Sequence, residues 1–192
     1  MTAILKTTSV WAMLHMANES ERQLQAFFIE HERLKPRLVR TGLHLTVYHA
    51  RRPMGLPAFN IPASIHVAPQ ALRLMVMAPG GENPRPEHDP AGLNVGVRLQ
   101  RADPGCQAIL ELREQFYPYE TPEVLGPRPP STARSSAFGS HHYQPHVTLL
   151  RPKSGIDRDL ANLGDRLRAA VPAVCFDRLI VSTRTDVRMT SQ

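Results

Sequence analysis

The stretch Val10-Trp11-Ala12-Met13-Leu14-His15-Met16-Ala17-Asn18-Glu19-Ser20-Glu21 decides how the chain is to be read. Apolar residues at 10, 12, 14 and 16 alternate with Trp11, Met13 and His15, the period-two pattern of a half-buried strand that ends near Ala17. At Asn18 the period changes. Asn18 and Glu21 have the spacing of a capping box, and Leu24, Phe27, Phe28, His31 and Leu34 then recur at helical spacing until Pro36 forbids continuation. The spacing therefore predicts an amphipathic helix of about four turns behind the first strand.

Outward from this pair, a strand is expected over 43–49, followed by a connection through Pro53, Pro57 and Pro62. Further strands are expected over 71–77, with Leu72, Leu74 and Val76 on one face, and over 93–99, where Leu93, Val95, Val97 and Leu99 alternate with Asn94, Gly96 and Arg98. Residues 79–90 between them, with four prolines and a Gly-Gly pair, read as a surface loop. Asp103 caps a second helix with Pro104 at its first position and Ala108, Ile109, Leu112 and Phe116 as its buried stripe. Residues 118–140 hold Pro122, Pro127, Pro129 and Pro130 among Gly, Ser and Thr, and form either a functional lid or a disordered segment. A strand over 144–150, a third helix capped by Ser154 with Ile156, Leu160, Leu163 and Leu167 on one face until Pro172, and a last strand from Val174, bulged near Asp177 and Arg178, complete the order. This order predicts an α+β fold with mostly antiparallel sheets.

Composition narrows the function. The chain has 192 residues, 42% hydrophobic and 21% charged, the profile of one globular domain or of one domain built from two similar lobes. No run approaches the ~20 apolar residues of a membrane helix, and the first residues lack the pattern of a secretion signal. Cys106 and Cys175 stand alone without a Cys-x-x-Cys, which excludes a zinc ribbon, a redox dithiol and a disulfide framework and makes a reducing cytoplasm the expected location. The net charge is +6, and the only lysines are Lys6, Lys35 and Lys153, so arginine dominates. Genomic base composition can give this bias; so can an anionic partner, since arginine grips phosphate bidentately. The arginines form no tail or stripe, which argues against long duplex DNA while leaving a small phosphate pocket open. No glycine-rich phosphate loop is present.

One pattern occurs once in each half: His44-Leu45-Thr46-Val47 and His146-Val147-Thr148-Leu149. In a strand, residues i and i+2 share a face, so each His projects with its Thr while Leu45 and Val147 anchor the opposite face. Nine histidines and eleven threonines place about 0.5 His-x-Thr triplets in such a chain by chance, and apolar residues at the second and fourth positions lower that to roughly 0.1. A neutral imidazole can take a proton from an attacking oxygen while a protonated one gives a proton to the leaving oxygen, and two hydroxyls can donate to the phosphate oxygens. This set suits phosphodiester chemistry without a metal or cofactor.

With these motifs the chain resembles the 2H phosphoesterases, the family that includes bacterial RNA 2',3'-cyclic phosphodiesterases once called 2'-5' RNA ligases. The second motif extends to Arg151, as is frequent in that family. The resemblance implies a single bilobal domain over 1–192, with one His-x-Thr strand per lobe facing a central cleft and the helices outside. It also implies His44 and His146 as acid and base, and Thr46 and Thr148 as phosphate binders. The implied enzyme is a hydrolase of nucleotide or RNA phosphodiesters: 2',3'-cyclic phosphates, 2'-5' linkages or cyclic oligonucleotides. The arginine that often opens the family's first strand is absent from Val10-Trp11-Ala12-Met13.

Other residues carry weaker signals. Tyr48 and Tyr143 flank the motifs and are candidates to stack on a base, against a plain core role. Arg51 and Arg52 follow the first motif strand, and Arg151 and Lys153 the second, where a polyanion could be held. His141, His142 and His146 could suggest a metal site, but alternation divides them between two strand faces and no carboxylate or cysteine lies within five residues. Met75 and Met77 read as core or interface filler. A non-catalytic nucleotide- or RNA-binding module using the same cleft is the rival reading.

Overall fold

A computed structural model describes residues 2–50, 59, 61, 64–78, 83–119, 143–152 and 159–191, with the backbone alone described for 2–8 and 184–191. The fold is α+β, with two antiparallel sheets. The elements, in chain order, are β1 (Thr2–Met16), α1 (Asn18–Ala26), β2 (His44–Ala50), β3 (Ile65–Val67), β4 (Leu72–Met77), β5 (Asn94–Leu99), α2 (Pro104–Glu114), β6 (His146–Leu150), α3 (Leu160–Ala170) and β7 (Val174–Ser191). One sheet has the order β2-β1-β7-β3 and the other β4-β5-β6. No helix among the described residues is long and apolar enough to cross a membrane.

The alternation read in β1 is the alternation observed. Val10, Ala12, Leu14 and Met16 are buried, whereas Trp11, Met13 and His15 are half-exposed on the other face. The buried face joins Leu24, Phe27 and Phe28 behind it and Leu45 and Val47 of β2 in a core that continues through Val95, Val97, Val147 and Leu149 of the second sheet. On α2, Asp103 caps the helix as expected, its carboxylate accepting from the Cys106 N–H at 3.1 Å. Cys106 is buried, which pushes its thiol up to about 11.

Several expectations are corrected. Asn18 does not cap α1: Ala17 holds that position without a side-chain cap, and the Glu21 carboxylate turns away to accept from the Gly42 and Leu43 N–H groups at 2.7 and 2.9 Å. Two N–H groups at the entry to β2 satisfy the carboxylate more fully than one at the helix start. The helix is prolonged by a π turn over Phe27–His31, whose wider repeat buries both phenylalanines and leaves His31 exposed instead of in the buried stripe. The short strand β3, three residues long, lies in the proline-rich connection where no strand was expected. Asp159 caps the described helix Leu160–Ala170, accepting from the Asn162 N–H at 3.4 Å, and the expected cap Ser154 lies outside the described residues. The bulge expected in β7 is present: the register shifts between His15 and Met16, which pair with Arg178 and Phe176, and Asp177 is left over. The proposed lid over 118–140, the metal candidates His141 and His142, and the flanking Arg51, Arg52 and Lys153 fall wholly or mostly outside the described residues.

Candidate functional site

The two His-x-Thr motifs open two strands that belong to different sheets: His44 begins β2, an edge of the first, and His146 begins β6, an edge of the second. These two edges are joined. Tyr143, just before β6, donates its hydroxyl to the Thr46 carbonyl of β2 at 2.9 Å, and Arg113 of α2, beneath them, donates to the Val47 carbonyl. The Arg113 guanidinium is buried 4.2 Å from the centre of the Tyr143 ring and 5.6 Å from that of Tyr48, so its charge is held among aromatic faces. Leu45, Val47, Val147 and Leu149 are buried, while His44 is exposed and Thr46, His146 and Thr148 are half-exposed.

Each histidine is fixed in the same way. His44 Nδ1 lies 2.9 Å from the carbonyl of Gly42, and His146 Nδ1 lies 2.9 Å from the carbonyl of Gln144, in both cases two residues back along the chain. A carbonyl can only accept, so Nδ1 carries the proton and Nε2 is the nitrogen left for chemistry. Gly42 adopts a φ of 65°, a conformation that a side chain disfavours, and this tight entry turn is the one that Glu21 holds.

Register supplies the neighbours. Across the first sheet, His44 pairs with His15 and His15 with Arg178; across the second, His146 pairs with Arg98 and Arg98 with Arg73. Directly paired residues of antiparallel strands point to the same side, so each motif histidine opens a row of three basic side chains. The His15 and His44 ring centres are 5.6 Å apart. In the next rows Thr46 pairs with Met13, which pairs with Ile180, and Thr148 pairs with Gly96, which pairs with Met75.

The histidines feel these surroundings. Burial lowers the pKa of His146 below the usual 6.5, and the charges of Arg98 and His44 lower it further against the opposing bond to Gln144. Burial likewise lowers His15, with His44 and Arg178 adding to the effect while Glu21 and Asp177 oppose it. A histidine whose folded pKa lies below its unfolded value binds fewer protons folded than unfolded in the interval between the two. Its contribution is fully present above 6.5 and is lost as pH falls through the lowered folded value. We therefore expect the thermal midpoint to drop as pH is taken from 7 towards 5, and the drop to shrink in His15→Phe and His146→Asn; equal slopes in wild type and both variants would contradict this.

The remaining residues singled out in the sequence separate. Tyr48 is fully buried, its ring stacked on Phe116 at 5.0 Å, so it is a core residue and not a substrate contact. The cause is a β-bulge: Met13 pairs with Thr46 but Ala12 with Tyr48, so Val47 is the extra residue and the phase flips beyond it. Tyr143 is also buried, and burial raises its phenol so that it stays protonated and donates to Thr46. It braces the site and does not reach a base. Arg151 lies five residues beyond His146, about 16 Å along an extended chain, where its N–H bonds to the Leu38 carbonyl at 2.8 Å and its charge faces Arg40. His15, Arg98, Arg73 and Arg178 were not singled out in the sequence; the alternation around Arg98 gave its face but not its neighbour. Met77 is buried, as the filler reading had it, and Met75 is half-buried. Among the described residues no three His, Cys, Asp or Glu side chains converge as metal ligands.

Comparison of the sequence with protein-family models gives no match, and comparison with curated proteins gives none either.

Proposed function

We propose that the chain is a phosphoesterase of the 2H type, a hydrolase that cleaves a nucleotide or RNA phosphodiester with its histidine pair and without a metal. The observation that carries this reading is the duplicated arrangement: two half-exposed or exposed imidazoles at adjoining strand edges, each with Nδ1 bound to the backbone carbonyl two residues back, each followed by a threonine on the same face. The bilobal cleft and the assignment of substrate belong to the same proposal. The basic rows that run from His44 to Arg178 and from His146 to Arg73 suit an anionic substrate.

The roles of the two histidines follow from their surroundings. His146, held neutral by burial and by Arg98, takes the proton of the attacking oxygen. That oxygen is the free vicinal ribose hydroxyl when the linkage is open, 2' beside a 3'-5' linkage and 3' beside a 2'-5' linkage, and water when the phosphate is already cyclic. As the new P–O bond forms, the bond to the leaving oxygen breaks, and His44 gives that oxygen its proton. Thr46 and Thr148 donate to the non-bridging oxygens.

The test is turnover of a 2',3'-cyclic nucleotide, a 2'-5'-linked dinucleotide and a cyclic dinucleotide, followed by ³¹P NMR. Conversion of at least one into a new phosphate species is expected, with a bell-shaped kcat/KM whose acid limb lies below 6.5 because His146 is the base. Dialysis against a strong chelator is expected to leave the rate intact. Loss with chelator and return with a divalent ion would replace this mechanism by a metal-assisted one. Tight binding of such compounds without turnover would favour the binding-module reading.

A further inference from the structure

The two flanks of the histidine pair differ chemically. On the second sheet the row beside His146 is Arg98 and Arg73, and the row beside Thr148 is Gly96 and Met75. Above Gly96 the space that a side chain would take is already filled, with the Met77 methyl 2.1 Å from where its Cβ would stand. That flank is charged at one level and closed at the next. On the first sheet the row beside Thr46 is Met13 and Ile180, both apolar. Ile180 is 36% exposed, one of two large apolar side chains with that exposure among the described residues, and Met13 is half-exposed. The next row is His49, Trp11 and Ser182. There the Trp11 indole stacks on the His49 ring at 3.8 Å, with 22° between the planes.

We propose that this face of β1 and β7 is a nucleobase subsite, with Met13 and Ile180 as its floor and the Trp11–His49 stack as its end wall. The proposal rests on the phosphoesterase reading, because the histidine pair is what places the phosphate. Successive rows on one strand face are about 7 Å apart, so a nucleoside whose phosphate lies at the His44 row, one ribose away from its base, brings the base over the Met13 row and its far edge to Trp11. Thioether, isoleucine and indole surfaces all favour a flat aromatic ring, and none of them reads a hydrogen-bonding edge. The subsite therefore selects a base over no base and discriminates weakly among bases. The arginine flank opposite sets the polarity: base on the first sheet, further negative charge on the second.

Trp11 is the only tryptophan in the chain, so its emission reports on this wall alone. Adenosine 3'-monophosphate, ribose 5-phosphate and inorganic phosphate are titrated into the full chain, with binding followed by calorimetry and by Trp11 emission. The nucleotide is expected to bind about 10-fold more tightly than ribose phosphate and to quench the emission saturably, while ribose phosphate and phosphate bind without quenching. Ile180→Ser, an exposed position, is expected to remove most of the 10-fold preference and to leave the affinity for inorganic phosphate within about 2-fold. Nucleotide binding that neither perturbs Trp11 nor weakens in Ile180→Ser would place the base elsewhere and overturn the subsite, even with phosphoester turnover intact. If no phosphoester is turned over and none of the three compounds binds, the phosphoesterase reading fails and the subsite with it.

Discussion

Replacing His44 or His146 by alanine is expected to lower kcat/KM by ~10²- to 10⁴-fold or more, the range for removing a general acid or base. The fold should survive, because His44 is exposed and His146 half-exposed, and water can replace the bond that each makes to a backbone carbonyl. The double variant should be little worse than either single one, since one proton transfer without the other does not complete the exchange. Thr46→Ala and Thr148→Ala should each cost less, because one neutral donor among several is lost. The two histidine variants should also differ in pH dependence. His146→Ala removes the group that is neutral at pH 7, so the rate that remains should rise with hydroxide. Melting curves at pH 7 check folding, and a double variant with near-normal turnover would end the two-histidine assignment.

Local pattern and non-local register had unequal weight in making the site legible. The two His-x-Thr strands, their outward histidines and their inward apolar partners could be read from residues two apart, because alternation within one strand is a local property. The cap at Asp103 and the bulge near Asp177 were legible for the same reason. Of the two roles open to Tyr48, base stacking or core, the structure gives the core, because an extra residue at Val47 flips the phase, and nothing in Thr46-Val47-Tyr48 announces a bulge that exists only relative to β1. Arg98 and His15 are in the site because β5 lies beside β6 and β1 beside β2, contacts between residues 48 and 29 positions apart whose register no periodicity encodes. Glu21 was assigned to the helix cap nearest in sequence, yet its partners are 21 and 22 residues away at the turn before His44. The resemblance concerns the two motifs alone, and these supports are read from the register of the sheets.

Gly96 is where fold and site meet most tightly, and Gly96→Ala is the substitution expected to damage both. A Cβ there would stand 2.1 Å from the Met77 methyl, 2.4 Å from the Val147 carbonyl oxygen and 3.1 Å from the Thr148 Cα. The methyl is the end of a flexible side chain and can swing aside at modest cost. The carbonyl oxygen cannot, because it belongs to the backbone of β6, and Val147 is buried in the core. Relief therefore requires β5 and β6 to part where Gly96 faces Thr148, next to the bulge between Val95 and Gly96. Overpacking of this kind costs about 1–3 kcal/mol, and moving Thr148 by even a fraction of an ångström would withdraw the proposed phosphate donor from its position. Gly92→Ala is the control, since a Cβ there meets nothing within 4 Å, and a surface change without new contacts stays within about 0.5 kcal/mol. Urea denaturation should show the loss of stability in Gly96→Ala alone, with kcat reduced under conditions where the variant is still folded. Equal midpoints for the two variants would mean that the β5–β6 pairing is looser than this packing implies, and that Thr148 is not held by it.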